Sequence, residues 1–144
     1  AQRRASFRLS RPIDLLNREK VLAGLDDDVM TKVAWLEVFP EIDSTNDFLL
    51  NASPPSSNSL SVCLAEFQRP GRGRHGRRWY APFGGGLCLS LGWCFDEVPR
   101  DLAALSLAVG LVVRDVVHSV TGRWASLKWP NDLIWTVGSN VGVM

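Results

Sequence analysis

Residues 68–79 read QRPGRGRHGRRW: five arginines, Arg69, Arg72, Arg74, Arg77 and Arg78, stand among glycines, and the run stops at Trp79. Glycine lets the backbone come close to a ligand, and guanidinium forks offer phosphate and carboxylate oxygens paired donors in a fixed geometry. The segment reads as an anion cradle. A solvated basic loop and a nucleic-acid arm of the arginine-glycine kind are the competing readings, so the flanking sequence has to decide between them.

On the near side, Ser61 to Phe67 is rich in strand formers and delivers the chain into the loop. On the far side, Leu87, Leu89, Leu91, Trp93 and Phe95 alternate with Cys88, Ser90, Gly92 and Cys94. That period of two predicts a strand whose large face packs a core and whose small face admits a helix or a ligand. Strand, glycine-rich loop, strand is therefore the central layout.

Further out, the first dozen residues are basic, and Ile13 to Leu25 carries apolar residues at roughly helical spacing. Asp26, Asp27 and Asp28 read as an acidic turn, and Val33 to Pro40 as a strand. Asp43 or Ser44 can cap a short helix from Thr45 to about Asn51, and the Pro/Ser-rich stretch 52–59 is a surface loop. Residues 102–120 are almost continuously apolar and end at Thr121-Gly122, which predicts a buried helix opened by Asp101. Within it Arg114, Asp115 and His118 fall at neighbouring helical positions, as a solvent stripe with His118 a surface histidine rather than a base. The last segment, SLKWPNDLIWTVGSNVGVM, reads as strand, tight Pro-Asn-Asp turn, strand and a second turn around Gly138–Asn140.

Composition limits what the loop can serve. At 144 residues, 46% hydrophobic and 22% charged, the chain is expected to form one domain around one core. A net charge of +1 means that acids elsewhere balance the arginines, unlike the basic excess of a dedicated nucleic-acid binder. Cys63, Cys88 and Cys94 lie in apolar segments without metal-ligand spacing and read as reduced thiols. No apolar run is expected to approach membrane-spanning length, and the amino terminus lacks the stretch of a secretory signal. A cytoplasmic enzyme or binding module, with no membrane partner, is the expectation.

Three separated segments now converge: EIDSTNDFLL at 41–50, QRPGRGRHGRRWYAPFGGGLCLSLGW at 68–93 and LKWPNDLIW at 127–135. In order and spacing they resemble the central catalytic domain of bacterial biotin–protein ligase, whose bifunctional members also repress biotin synthesis. The resemblance runs from about Ile13 to Met144. It implies an α+β fold, a mixed or largely antiparallel sheet with helices on one face, of the class II synthetase-like type shared with lipoate ligases. It implies ATP, biotin and Mg²⁺ as ligands, and a biotin carboxyl carrier protein as partner. The family's reaction forms biotinyl-5′-adenylate from biotin and ATP, then passes the acyl group to a carrier lysine. Carboxylate and triphosphate repel each other until cations and backbone N–H groups offset their charge, which an arginine-glycine loop can do at close range.

By the same resemblance Ser44, Thr45, Asn46 and Gln68 line the biotin site, and Arg72, Gly73 and Arg74 hold the acyl group and adenylate phosphate. Arg77 and Trp79 belong to the adenylate side, as phosphate donor and stacking plane. Lys128, Asn131 and Asp132 lie near the nucleotide, with Asp132 suited to Mg²⁺. Arg74 and Lys128 are the expected catalytic cations. Each position has a plain structural alternative: Ser44 as a helix cap, Gln68 as a strand end, Trp79 as core, the Pro-Asn-Asp segment as a simple turn.

The chain departs from the family at one position. Where the family has a lysine three residues before Gly142, this chain has Ser139, which supplies no positive charge. The resemblance further implies that residues 1–27 are a basic lead-in and linker helix following a winged-helix DNA-binding domain, and that residues 28–144 are the N-terminal part of the catalytic domain. The chain then reads as a truncated piece, with an uncovered sheet edge that invites association, including a homodimer. DNA contact is expected only through the winged helix. Two other functions stay open: a lipoate–protein ligase-like enzyme, and a catalytically silent biotin- or adenylate-binding or dimerisation module.

Overall fold

The computed structural model describes residues 12–69, 82–129, 132–137 and 140–143. The chain divides into two compact units, Ala1–Asp96 and Glu97–Met144.

In the first unit, Asn17 takes extended backbone and accepts the Lys20 N–H at 2.8 Å, starting α1 (Arg18–Ala23), which Gly24 closes. This cap makes the helix shorter than the apolar spacing from Ile13 suggests. The expected acidic turn is instead a single helical turn, α2 (Asp27–Met30), because Asp27 and Asp28 suit a helix N-terminus. Then follow β1 (Val33–Phe39), α3 (Thr45–Asn51), β2 (Leu60–Ala65) and β3 (Cys88–Trp93). β2 is central, parallel to β1 and antiparallel to β3. It is buried from Ser61 to Ala65, as a strand covered on both faces must be. On one face Leu36, Val62 and Leu64 form the core, closed by Leu16, Val21 and Leu22 from the α1 segment. On the other, Phe48 of α3 meets Trp35 and Phe39 edge-on, with ring centroids 6.0 and 5.0 Å apart.

The α+β class with a mixed sheet and helices is as expected; here α1 covers one face of the sheet and α3 the other. The small face of β3 lies against α3, with Leu49 Cδ1 in ordinary contact at 3.7 Å from where a Cβ of Gly92 would stand; that Cβ would also lie 2.7 Å from Ser61 Oγ of β2, so glycine is what leaves room for this hydroxyl. The expectation that the large face of β3 packs a core is corrected. Leu89, Leu91 and Trp93 are exposed, because β3 is the sheet edge and the short α1 covers Leu36, Val62 and Leu64 rather than reaching the third strand. Cys63 is fully buried, and burial, with the Glu37 carboxylate on β1 adding to it, pushes its thiol up to about 11.

The second unit opens with α4 (Leu102–Thr121). Asp101 Oδ1 accepts the Ala104 N–H at 3.2 Å, and Gly122, at φ +68°, ends the helix by donating to the His118 carbonyl at 2.8 Å. Both ends match the sequence. Three other expectations about this helix do not hold: that it is buried, that no apolar run approaches membrane-spanning length, and that His118 belongs to a solvent stripe. Leu105, Val109, Val112, Val116 and Val120 are exposed, so α4 is not a buried helix. Its stretch Ala104–Thr121 has mean hydropathy 1.5 and is long and apolar enough to cross a membrane by length and composition. The adjacent pair Arg114 and Asp115 interrupts the apolar run without shortening it; soluble helices share these properties. His118 is not a solvent-stripe residue either: its ring stacks on Trp124 at 3.7 Å, with the Arg114 guanidinium 5.3 Å from the same indole. After the helix, β4 (Ser126–Lys128), β5 (Asp132–Val137) and β6 (Asn140–Val143) form an antiparallel sheet in the expected order, with Ala125 and Leu133 buried.

Candidate functional site

Ser44 stands in extended backbone at the start of α3, where its Oγ accepts the Asp47 N–H at 3.1 Å. It is a helix cap, whatever else it contacts. The next residue, Thr45, is 3% exposed and needs internal partners for both its polar groups. Gln68 provides them. Its Oε1 accepts the Thr45 N–H at 2.7 Å and the Thr45 hydroxyl at 2.9 Å.

Gln68 reaches this place because the chain pairs once more beyond the strand ends, in a parallel bridge between Ile42 and Gln68. The Ile42 N–H donates to Phe67 O and the Arg69 N–H to Ile42 O, both at 3.1 Å. Two motifs read separately in the sequence are thus one hydrogen-bonded cluster. Asn46 is exposed in the first turn of α3.

Three neighbours of this cluster escaped the sequence reading. Ser90 Oγ lies 2.8 Å from Thr45 Oγ1, on the small face of β3 whose alternation was its only signal. Glu66, 5% exposed, accepts the Leu16 N–H and so ties the α1 segment to the strand that leads into the loop. Cys88 is half-buried, and burial raises its thiol; the Glu66 charge adds to this and a hydrogen bond with the Gln68 backbone opposes it. One expectation needs refining. Arg69 is not a free cation of the cradle: its Nε lies 2.9 Å from Asp43 and 3.3 Å from Glu41. Exposed pairs of this kind contribute about 0–1 kcal/mol, so their effect is to occupy Arg69 rather than to hold the fold.

In the second unit, Lys128 and Asp132 face each other across the β4–β5 hairpin, with Nζ 3.4 Å from Oδ2. They border an apolar groove of about 680 Å³ between α4 and the hairpin, lined by Leu105, Val109, Val113, Leu127 and Leu133 among others. Among the described residues no cluster of three or more His, Cys, Asp or Glu side chains forms a metal cage. A single carboxylate fits Mg²⁺, which is usually held by one or two carboxylates together with substrate phosphates. Arg72, Gly73, Arg74, Arg77, Trp79, Asn131 and Ser139 lie outside the described residues.

Residues 38–139 match the model of the biotin/lipoate A/B protein ligase family. The chain belongs to that family. Among family members, the bifunctional ligase/repressor BirA of Escherichia coli strain K12 is 39% identical over 127 residues, which cover 88% of this chain and 37% of that protein. A biotin–[acetyl-CoA-carboxylase] ligase of Mycobacterium tuberculosis is 39% identical over 144 residues, covering 95% of this chain and 52% of that one. The chain thus spans about half or less of these relatives' length. A solved biotin protein ligase from Aquifex aeolicus, in complex with biotin and ATP, is 30% identical with a TM-score of 0.54. That match covers 75% of this chain and 49% of the other.

Proposed function

We propose that this chain carries the biotin- and nucleotide-binding part of an ATP-dependent biotin–protein ligase. Such an enzyme activates biotin to biotinyl-5′-AMP and transfers it to a lysine of the biotin carboxyl carrier protein of acetyl-CoA carboxylase. The observation that carries this reading is the Thr45–Gln68 cluster, from which the chain runs within four residues into the arginine-glycine loop. Biotin's ureido ring offers one carbonyl acceptor and two N–H donors, and short hydroxyls and amides can serve both. Ser44, Thr45, Asn46 and Gln68 hold this ring. Arg72, Gly73 and Arg74 hold the carboxylate and the α-phosphate against which it reacts, so that binding overcomes the repulsion between two anions.

On the nucleotide side, Arg77 donates to phosphate, Trp79 stacks, and Lys128 and Asn131 bind polar groups. Asp132 holds the Mg²⁺, which supplies charge neutralisation of the phosphates when bound. The ion pair with Lys128 holds that carboxylate in place at the rim of the hairpin. Residues 1–27 serve as a basic lead-in and linker helix and residues 28–144 as the N-terminal part of the catalytic domain. A cytoplasmic setting, a homodimer, and DNA contact only through a winged-helix domain complete the reading.

The test is pyrophosphate release from ATP, measured with biotin, with lipoate and with neither. Release that depends on biotin and not on lipoate is expected. Release that depends on lipoate would transfer the reading to the sister lipoate ligases, and biotin binding without release would leave a silent binding module.

A further inference from the structure

The hydrogen bonds around Thr45 have a direction that the positions of the donors fix. A backbone N–H can only donate, so the Gln68 atom 2.7 Å from the Thr45 N is the amide oxygen. The same oxygen accepts the Thr45 hydroxyl at 2.9 Å, which uses the single proton of that hydroxyl. At the 2.8 Å contact between Thr45 Oγ1 and Ser90 Oγ, Thr45 therefore has only a lone pair to offer, and Ser90 is the donor. The chain runs Ser90 to Thr45 to Gln68. Both lone pairs of Gln68 Oε1 are filled, and Nε2, which has no hydrogen-bond partner among the described residues, is left as the end that can meet a ligand.

We propose that Ser90 is a positioning residue for ligand recognition. By donating to Thr45 Oγ1 it commits the Thr45 proton to Gln68 Oε1, and so adds a second donor to the oxygen that the Thr45 N–H already orients, holding the amide with its two Nε2 hydrogens turned to the ureido carbonyl oxygen of biotin. Its location suits this role, since it stands on the half-buried small face of β3, between Cys88 and Gly92, beneath the start of α3. Without Ser90 the buried Thr45 oxygen loses its donor, the Thr45 hydroxyl is free to turn from Gln68, and the amide is held by the Thr45 N–H alone. This rests on the proposed biotin site.

The test compares biotin with 2-iminobiotin, whose protonated guanidine replaces the ureido carbonyl by a donor, in calorimetric titrations at neutral pH. The wild-type chain should prefer biotin. Ser90→Ala and the near-isosteric but weakly donating Ser90→Cys should weaken biotin binding about five- to tenfold, the scale of one neutral hydrogen bond. They should weaken iminobiotin less, so the preference narrows, while Ser90→Thr, which keeps the hydroxyl, should retain it. Two variants of different bulk guard against failure of either to fold. If both ligands weaken equally, or neither does, Ser90 is merely structural and the proposal is overturned. A wild-type chain that binds neither ligand would overturn the biotin reading itself, and Ser90's role with it.

Discussion

Replacing Ser139 with lysine is expected to speed biotin-dependent pyrophosphate release by a factor of about a hundred to a thousand, or about 3–4 kcal/mol of barrier. The carboxylate of biotin and the α-phosphate of ATP are both anionic, and the charge that builds up as they join has to be offset by groups already in place. In the family pattern a lysine three residues before Gly142 supplies one such charge; serine here supplies none. Initial rates of the two proteins at saturating biotin and ATP check this. Equal rates would mean that Lys128 or an arginine of the 68–79 loop carries the charge, and that position 139 is not catalytic in this chain.

Leu36→Ala is expected to cost about 2–5 kcal/mol of stability. Leu36 is 2% exposed and packs with Val62 and Leu64 against the α1 segment. Its carbonyl also accepts the Arg18 Nε–H at 2.8 Å, so one residue couples the helix to two strands. The cavity would open where the sheet is best covered, which leaves the surroundings little freedom to collapse. Denaturant titration measures the loss, with Leu50→Ala, at a site 75% exposed, as a control expected to change stability by within about 0.5 kcal/mol. A loss below about 1 kcal/mol for Leu36→Ala would mean that this cluster is not the core of the first unit.

What the sequence made legible was mostly local. Asp101 and Gly122 bound α4, and Ser44 starts α3, because a cap is a contact between residues three or four apart. Strand positions followed from β-branched and aromatic runs and from the alternation in 87–95. Burial was less legible, since periodicity says which residues share a face and not what covers it. That is why Leu89, Leu91, Trp93 and the apolar positions of α4 are exposed where a core was expected.

The site divides the same way. Thr45 and Gln68 stood in motifs, but their partner Ser90, on β3, had only the alternation of that strand as a signal. Arg69 counted as one more cradle arginine until the bridge at Ile42 brought Asp43 and Glu41 beside it. Lys128 and Asp132 stood in the KWPND motif, and their facing across the hairpin is the antiparallel register of β4 and β5.

The central claim, that Gln68 and the arginine loop after it form one site for an acid joined to a nucleotide, is tested most directly by calorimetry. A non-hydrolysable biotinyl-adenylate analogue and biotin alone are titrated into the wild-type chain and into Arg74→Gly. A charge-assisted hydrogen bond contributes about 1.5–3 kcal/mol. The wild-type chain should therefore bind the adenylate analogue at least tenfold more tightly than biotin, and Arg74→Gly should lose most of that preference. Equal affinities for the two ligands in the wild-type chain, or a preference untouched by Arg74→Gly, would contradict the account.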